Sequence, residues 1–278
     1  MSADEDPLLG FDTSKPNIAR VYNAGLGGKD NFPADRELLA MTMRIIPEVP
    51  QVARANRDFL DRAVRFMVAE AGLTQLLDIG SGLPTEGNVS EVAHDIDPSV
   101  HVVYVDNDPV VRTHAKALLA DAITTDVITA DAREPEKILA DPTVRRLIDF
   151  GRPVGLLLIA LLHHLADDED PAGIMTTLRD AMPSGSYLAI SSFRKPGPDL
   201  PEAREKAIVS EQIFAEHLGT GRWREDPDIL AWFGDWELLD PGLVPLILWR
   251  NELPAADLGS APLDPLHYTF VGGVARKP

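Results

Sequence analysis

The chain has 278 residues, of which 45% are hydrophobic and 25% are charged, and these values are typical of a globular protein. Its 44 acidic residues outnumber its 26 lysines and arginines, and the resulting net charge of −18 disfavours nucleic acid, whose phosphates require neutralisation. The absence of cysteine excludes disulfides, thiolate metal sites and cysteine nucleophiles.

The first seventy or so residues predict helices that precede the main part of the fold. Residues 1–16 are acidic and proline-containing, which predicts a loosely ordered start without the basic and apolar parts of a signal peptide. No apolar run reaches the roughly 18 residues that a membrane span needs. We therefore expect a cytoplasmic protein that has no membrane partner. Apolar residues at helical spacing predict helices from about 31 to 47 and from about 51 to 71.

From residue 73 onward, short apolar runs alternate with amphipathic segments, the pattern of an α/β fold with a mostly parallel, buried sheet. The predicted strands are 75–79, 101–105, 126–130, 153–162, 186–193, 236–240 and 267–275. The predicted helices between the first five strands lie near 88–96, 109–120, 134–149 and 170–182. We interpret 1–278 as one domain, with N-terminal helices in 1–72, a Rossmann-like core in 73–278 and a helical insertion at 195–235.

The first predicted strand leads into a glycine-rich turn, LLDIGSGLPTEGN. Ligands of open parallel sheets bind at the carboxyl ends of the strands, and Gly80 and Gly82 permit a tight turn there. A dinucleotide fingerprint would need a third glycine where Thr85 stands. Asp78 instead completes D-x-G-x-G, which resembles the first motif of class I methyltransferases that use S-adenosylmethionine (SAM). We predict that Asp78, Gly80, Ser81 and Gly82 contact the methionine part of SAM.

The next two strand ends carry acids suited to an adenosine ligand. Asp106 follows the apolar run HVVYV, where its carboxylate can accept hydrogen bonds from both ribose hydroxyls. Asn107 is predicted beside the adenine, and Asp108 is predicted to cap the following helix. Asp131 ends the third strand and can accept from the adenine amino group, while the Ala132 amide donates to the ring.

The fourth strand ends in IALLHHLADDEDP, where we expect the methyl acceptor to bind. Ala160 is predicted to contact the cofactor, and His163 is the candidate general base for an acceptor that arrives protonated. Adjacent histidines point in different directions, so His163 and His164 are not expected to chelate a metal. Taken in order, the four strand ends suit methionine, ribose, adenine and acceptor. The turn after the first strand lacks the glycine at the start of the following helix that the pyrophosphate of a dinucleotide would require.

The sequence resembles a family of SAM-dependent methyltransferases long catalogued as a domain of unknown function. The stretches that carry the resemblance include ARVYNAGLGGKDNFPADRE, ARANRDFL, LDIGSGLPTEGNVSEVA, VVYVDNDPVV, HHLADDEDPAGI and ELLDPGLVP, and they extend from about residue 15 to the C terminus. The resemblance implies a class I fold with helices on both faces of seven strands, the last of them antiparallel. It also implies methyl transfer from SAM, and it supplies no acceptor, so we expect an unidentified small molecule.

Two other functions remain open at the level of sequence. One is a nicotinamide-dependent oxidoreductase, because an acid after the second strand also suits the ribose of a dinucleotide. The other is a non-catalytic SAM-binding module that regulates a partner protein. Arg57 is either a solvated partner of nearby acids or a contact for the cofactor carboxylate or an acidic acceptor.

The segment NAGLGGKDNF, residues 23–32, does not match a phosphate-binding loop, because no apolar strand precedes it and Asp30 follows the lysine. N-terminal helices of class I methyltransferases usually fold over the cofactor as a lid. We therefore predict that Tyr22, Gly28, Lys29 and Asp30 close over SAM, with Lys29 near its carboxylate.

Overall fold

The computed structural model describes residues 12–83, 87–118, 123–251 and 263–278. Thr85 and most of the N-terminal segment that was predicted to be loosely ordered lie outside these residues. Within the described residues, no helix is both long and apolar enough to cross a membrane.

The fold is a mostly parallel sheet with helices on both faces. The strands are β1 Gln75–Ile79, β2 His101–Asp106, β3 Thr125–Thr129, β4 Gly155–Ile159, β5 Tyr187–Phe193, β6 Glu237–Leu238, β7 Val244–Pro245 and β8 Phe270–Arg276. Their order is β3-β2-β1-β4-β5-β8-β6, and β7 pairs with β8. Strands β1 to β5 are parallel, and β8 runs antiparallel to β5, β6 and β7. The predicted class I fold with its last strand antiparallel is confirmed, and β7 is a short additional strand.

The helices are α1 Ile18–Gly25, α2 Pro33–Ile45, α3 Val49–Arg65, α4 Val89–Ile96, α5 Pro109–Leu118, α6 Pro135–Ala140, α7 Pro142–Leu147, α8 Pro171–Ala181, α9 Pro201–Leu218 and α10 Asp226–Ala231. Alternate strand residues enter two separate cores. Leu76 and Leu157 face a core that contains α3 and α4, whereas Leu77 and Leu156 face one that contains α6, α7 and α8. Burial on both faces explains why these strands are continuous apolar runs.

Three local differences separate the observed elements from those predicted. The sequence pattern missed α1, whose N-terminus is capped by Asn17: its Oδ1 accepts the Ala19 N–H at 2.8 Å. The helix predicted over 134–149 is two helices, because Pro142 cannot donate the amide hydrogen that would continue α6. Strand β4 ends at Ile159, before the predicted end, because Ala160 has a left-handed backbone conformation with φ 55°.

Candidate functional site

A cavity of about 680 Å³ lies at the carboxyl ends of the first five strands. The strand order reverses between β1 and β4, and such switch points are where open α/β sheets bind ligands. Helices α1 and α3 complete one side of the cavity, and residues of α9 and of the segment after it complete the other. The predicted site residues that line it are Tyr22, Asp78, Gly80, Ser81, Gly82, Asp106, Asn107, Asp131, Ala132, Ala160 and His163.

The turn after β1 depends on glycine at two positions. Gly80 and Gly82 have φ angles of 75° and 66°, which side chains rarely permit. A Cβ at Gly80 would lie 2.6 Å from the Leu161 side chain, so this glycine allows the β4 loop to pack against the turn. A Cβ at Gly82 would meet no atom of the described residues within 4 Å. Because Gly82 lines the cavity, its backbone leaves open space for a ligand.

Asp106 holds the β1 turn against the end of β2. Its Oδ2 accepts the Gly82 N–H at 2.9 Å, and its Oδ1 accepts the Asp108 N–H at 2.9 Å. Burial raises the pKa of Asp106 above its ordinary value, although these backbone N–H groups oppose the rise. Asp108 accepts the Val110 N–H at 2.8 Å, the interaction expected of a residue that caps α5.

Asp78 is a buried acid at the end of β1, and only 4% of its surface is exposed. Burial raises the pKa of Asp78 to about 7, the Arg57 guanidinium opposes that rise, and the charge of Asp106 adds to it. Arg57 lines the cavity, whereas Arg54, one turn earlier in α3, is exposed. The structure thus places Arg57 on the cavity side of its helix.

The third strand end is organised by an ion pair that the sequence did not suggest. Asp131 accepts from Arg133 through both carboxylate oxygens, at 2.8 Å to Nε and 2.7 Å to Nη2. Arg133 also contacts Glu169 in the loop after β4. The Arg133 hydrogen bonds lower the pKa of Asp131, so this group stays ionised at the cavity edge.

His163 is fully buried and is fixed by its neighbours. Its Nδ1 accepts the Phe193 N–H at 3.1 Å, and its ring stacks on that of Phe193 at a centroid distance of 3.6 Å. Burial, with smaller contributions from His164 and Arg224, holds the pKa of His163 well below its usual range. A neutral imidazole that accepts at Nδ1 carries its proton on Nε2. This geometry favours a hydrogen-bond donor and does not favour the predicted general base.

His163, His164 and four aromatic residues line the cavity and contact one another. We call this set the aromatic wall: His163, His164, Phe193, Phe214, Trp223 and Phe270. Burial lowers the pKa of His164 to about 4. The sequence pattern did not indicate the four aromatic residues of this set. Phe193 is the last residue of β5 and so lies at one of the strand ends. Phe214 and Trp223 belong to the segment between β5 and β6 and give no local signal.

The N-terminal helices meet the strand ends through a chain of hydrogen bonds. The Tyr22 hydroxyl donates to the Ala53 carbonyl at 3.0 Å and accepts from Asn56 Nδ2 at 2.9 Å. The Ser191 hydroxyl of β5 donates to Asn56 Oδ1 at 2.6 Å and accepts the Ala160 N–H at 2.9 Å. This network fixes α1 and α3 beside the cavity.

Three predicted residues of the N-terminal segment do not line the cavity. The Asn23 side chain accepts the Asp30 N–H at 3.1 Å and fills the space beside Gly28, where a Cβ would collide with it. Lys29 is exposed, and Asp30 lies 3.6 Å from His114 of α5. Asn23 therefore folds this loop back on itself, and only Tyr22 of the predicted lid residues reaches the cavity.

A family model described as S-adenosyl methyltransferase matches residues 5–278. The fold is similar to a proposed methyltransferase from Thermobifida fusca YX, with 45% identity, 99% of each chain covered and a TM-score of 0.89. It is also similar to a DUF574 family protein from Streptomyces avermitilis MA-4680, with 37% identity, 96% of this chain and 99% of that chain covered, and a TM-score of 0.87.

At 15% identity and a TM-score of 0.50, 1,6-didemethyltoxoflavin-N1-methyltransferase from Burkholderia thailandensis shares the fold alone, over 87% of this chain and 89% of that one. A comparison with curated proteins finds no match. The match over nearly the whole chain confirms the family that the sequence motifs predicted. The chain belongs to the S-adenosyl methyltransferase family, and its cofactor is SAM.

Proposed function

We propose that the protein transfers the methyl group of SAM to a small-molecule acceptor bound in the same cavity. One observation carries this proposal: a single cavity extends from the β1, β2 and β3 ends to the aromatic wall. The strand ends supply glycine turns and carboxylates, and the opposite end supplies apolar rings. A cofactor and an acceptor that occupy the two ends can therefore meet.

The residues at the strand ends fit SAM. The open space at Gly82 admits a ligand against the turn, and Asp106 can accept from ribose hydroxyls beside it because each carboxylate oxygen can accept more than one hydrogen bond. Asp78 and Arg57 together suit the amino and carboxylate groups of the methionine part. Asn107, Asp131 and Ala132 border the space that we assign to the adenine.

Bound SAM supplies a methyl group on a sulfonium, whose displacement needs no metal and no covalent enzyme intermediate. The protein must hold the acceptor in line with that methyl group at near-contact distance. Ala160, held by Ser191, and His163, held by Phe193, follow the end of β4 and line the cavity. These hydrogen bonds hold both residues in place, which favours a fixed approach of the acceptor.

Proton removal limits the choice of acceptor. His163 accepts at Nδ1 and donates from Nε2 in its neutral form, and the low pKa of His164 makes it a weak base. We therefore propose that the acceptor reacts as an anion or as a nucleophile with a free lone pair. In either case the catalytic contribution of these histidines is to orient the acceptor.

Two measurements test the proposal. Calorimetric titration with SAM, S-adenosylhomocysteine (SAH) and NAD should show binding of the first two and none of NAD, as the family assignment implies. Incubation with methyl-labelled SAM and a panel of small molecules should then transfer label to at least one of them. Tight SAM binding without transfer to any acceptor would instead favour a regulatory SAM-binding module, and absence of SAM binding would overturn the cofactor assignments.

A further inference from the structure

We propose that Arg222 binds an acidic group of the methyl acceptor, so that the acceptor is a small organic acid with an oxyanion on an apolar body. This inference rests on the proposed function and names the class of acceptor for the same cavity. Two features carry it: the state of the charged side chains that line the cavity, and the backbone contacts that fix Arg222 beside the aromatic wall.

Three arginines, and no lysine, line the cavity within the described residues, and two of them have acidic neighbours. Arg133 pairs with Asp131 at the end of β3. Arg57 lies close enough to the buried Asp78 to oppose the rise of its pKa to about 7 that burial causes. Arg222 is the third, and no carboxylate oxygen of the described residues lies within 4.0 Å of its guanidinium nitrogens.

The guanidinium of Arg222 is little used by the protein itself. Its Nη1 donates to the carbonyl of the adjacent Gly221 at 3.2 Å, the long end of the range for such bonds, and no other group of the described residues accepts from this fork of N–H donors. Arg224 shows the contrast, because its guanidinium donates to the Leu165 carbonyl at 2.8 Å and to Asp167 at 2.7 Å. Arg224 thus anchors this segment to the loop after β4, and Arg222 keeps most of its donors for a ligand.

Backbone contacts fix Arg222 beside the turn that follows β4. Its N–H donates to the His163 carbonyl at 2.7 Å, and the Thr220 hydroxyl donates to the His164 carbonyl at 2.6 Å. The next residue, Trp223, belongs to the aromatic wall. Arg222 therefore lies at the end of the cavity that we assign to the acceptor.

The surroundings of Arg222 favour an acid with an apolar body. Phe193 and Phe214 line the cavity and are only partly buried, so both rings offer apolar surface to a ligand. Acids of the described residues line the cavity at the ends of β1 to β3 and in the loop after β4, and these are Asp78, Asp106, Asp108, Asp131, Asp168 and Glu169. Their charges disfavour an anion there, whereas Arg222 supplies the opposite charge.

A guanidinium matches two oxygens of a carboxylate or a phosphate through paired hydrogen bonds. The single charge of Arg222 balances one carboxylate and leaves a phosphate dianion partly uncompensated. Carboxylates are therefore the favoured form of the oxyanion, and the experiment includes both forms.

Binding to the SAH-loaded protein tests the inference without requiring turnover. Calorimetry compares 2-naphthoate, 4-phenylbutyrate and octanoate with their primary carboxamides, which keep the shape and lack the charge. It also compares 2-naphthyl phosphate with 2-naphthol. We expect at least one acid to bind tenfold or more tightly than its neutral partner, and the pair that shows this preference identifies the oxyanion.

Arg222→Met removes the charge and keeps a long side chain. It should bring the affinity of each acid to within twofold of that of its neutral partner and leave SAH affinity unchanged. Arg222→Lys keeps the charge without the fork and should reduce the preference threefold or more. If Arg222→Met no longer binds SAH, the ratio measured with Arg222→Lys decides.

Arg276→Met is the matched control, because it makes the same change in net charge. Arg276 is exposed and pairs with Tyr187, the first residue of β5, so it lies at the edge of the sheet opposite to the cavity. This variant should retain the full preference for the acid.

Three binding results overturn the inference while SAH still binds. They are equal affinity for acids and their neutral partners, no binding by any acid of the panel, and a preference that substitution of Arg222 leaves intact. Transfer of label only to compounds without an acidic group would also overturn it while the proposed function stands. Failure of the proposed function would appear instead as loss of SAM and SAH binding or as transfer of label to no compound of any class.

Discussion

Because Asp78 is buried, the free energy of unfolding of the protein should depend on pH. The folded protein raises the pKa of Asp78 to about 7, against an ordinary value near 3.9 in the unfolded chain. Between these values the unfolded chain is ionised at this site while the folded protein holds the proton. Stability therefore falls as pH rises from about 4 to about 7, at roughly 1.4 kcal/mol per pH unit. Below this window both states are protonated, and above it both are ionised.

Asp78→Asn removes the titrating group and retains the shape of the side chain. Relative to this variant, the free energy of unfolding of the natural protein should drop by about 2–3 kcal/mol between pH 5 and pH 8. Urea unfolding of both proteins at pH 5, 6, 7 and 8 measures the difference. Glu136→Gln, which changes an exposed acid of α6, is the control and should show no such trend. A difference between natural protein and Asp78→Asn that stays constant over this range would refute the reasoning.

Three further predictions concern the cavity and its borders. Asp106→Asn should weaken SAM binding by about tenfold to a hundredfold in calorimetry, because the charged hydrogen-bond acceptor is lost. The new amide NH₂ group also faces either the Gly82 or the Asp108 N–H. An unchanged Kd would contradict the ribose assignment. Gly80→Ala should lower the free energy of unfolding by about 1–3 kcal/mol in urea titrations, because the added methyl group meets Leu161. Lys29→Ala should leave SAM affinity within twofold of the natural value, and a larger loss would show that this exposed residue reaches the cofactor after all.

The strand ends could be predicted from the sequence because each depends on a local pattern. An apolar run of five or six residues marks a buried strand, and the first polar residue after it marks the carboxyl end. Asp106 and Asp131 follow this rule, Asp78 lies one residue before the end of β1, and all three line the cavity. Parallel strands bring their carboxyl ends to one edge, so local patterns in separate parts of the chain were enough to assemble this half of the site.

The other half depends on contacts that no local pattern encodes. In the sequence, Asn56 looks like one polar residue of an amphipathic helix. It is buried in the structure because it pairs with Ser191, and that partner lies 135 residues further along the chain, beyond the reach of any local pattern. Trp223 belongs to the aromatic wall because its ring stacks on Phe193, and this contact depends on how the segment between β5 and β6 folds back over the sheet. For the loop that contains Lys29 the sequence pattern indicated a ligand contact that the structure does not place at the cavity. The glycines and charged residues of this loop fold around the Asn23 side chain, which accepts the Asp30 N–H within the loop itself.

Phe193, which the sequence pattern did not indicate, sets the protonation state of His163. The backbone N–H of Phe193 takes the Nδ1 lone pair, so adding a proton there would set two donors against each other. Burial also penalises the imidazolium, and both effects keep the ring neutral with its proton on Nε2. A neutral ring in that state is a poor base, so we do not expect it to remove a proton from the acceptor. The pH dependence of methyl transfer should therefore follow the ionisation of the acceptor and not that of this histidine.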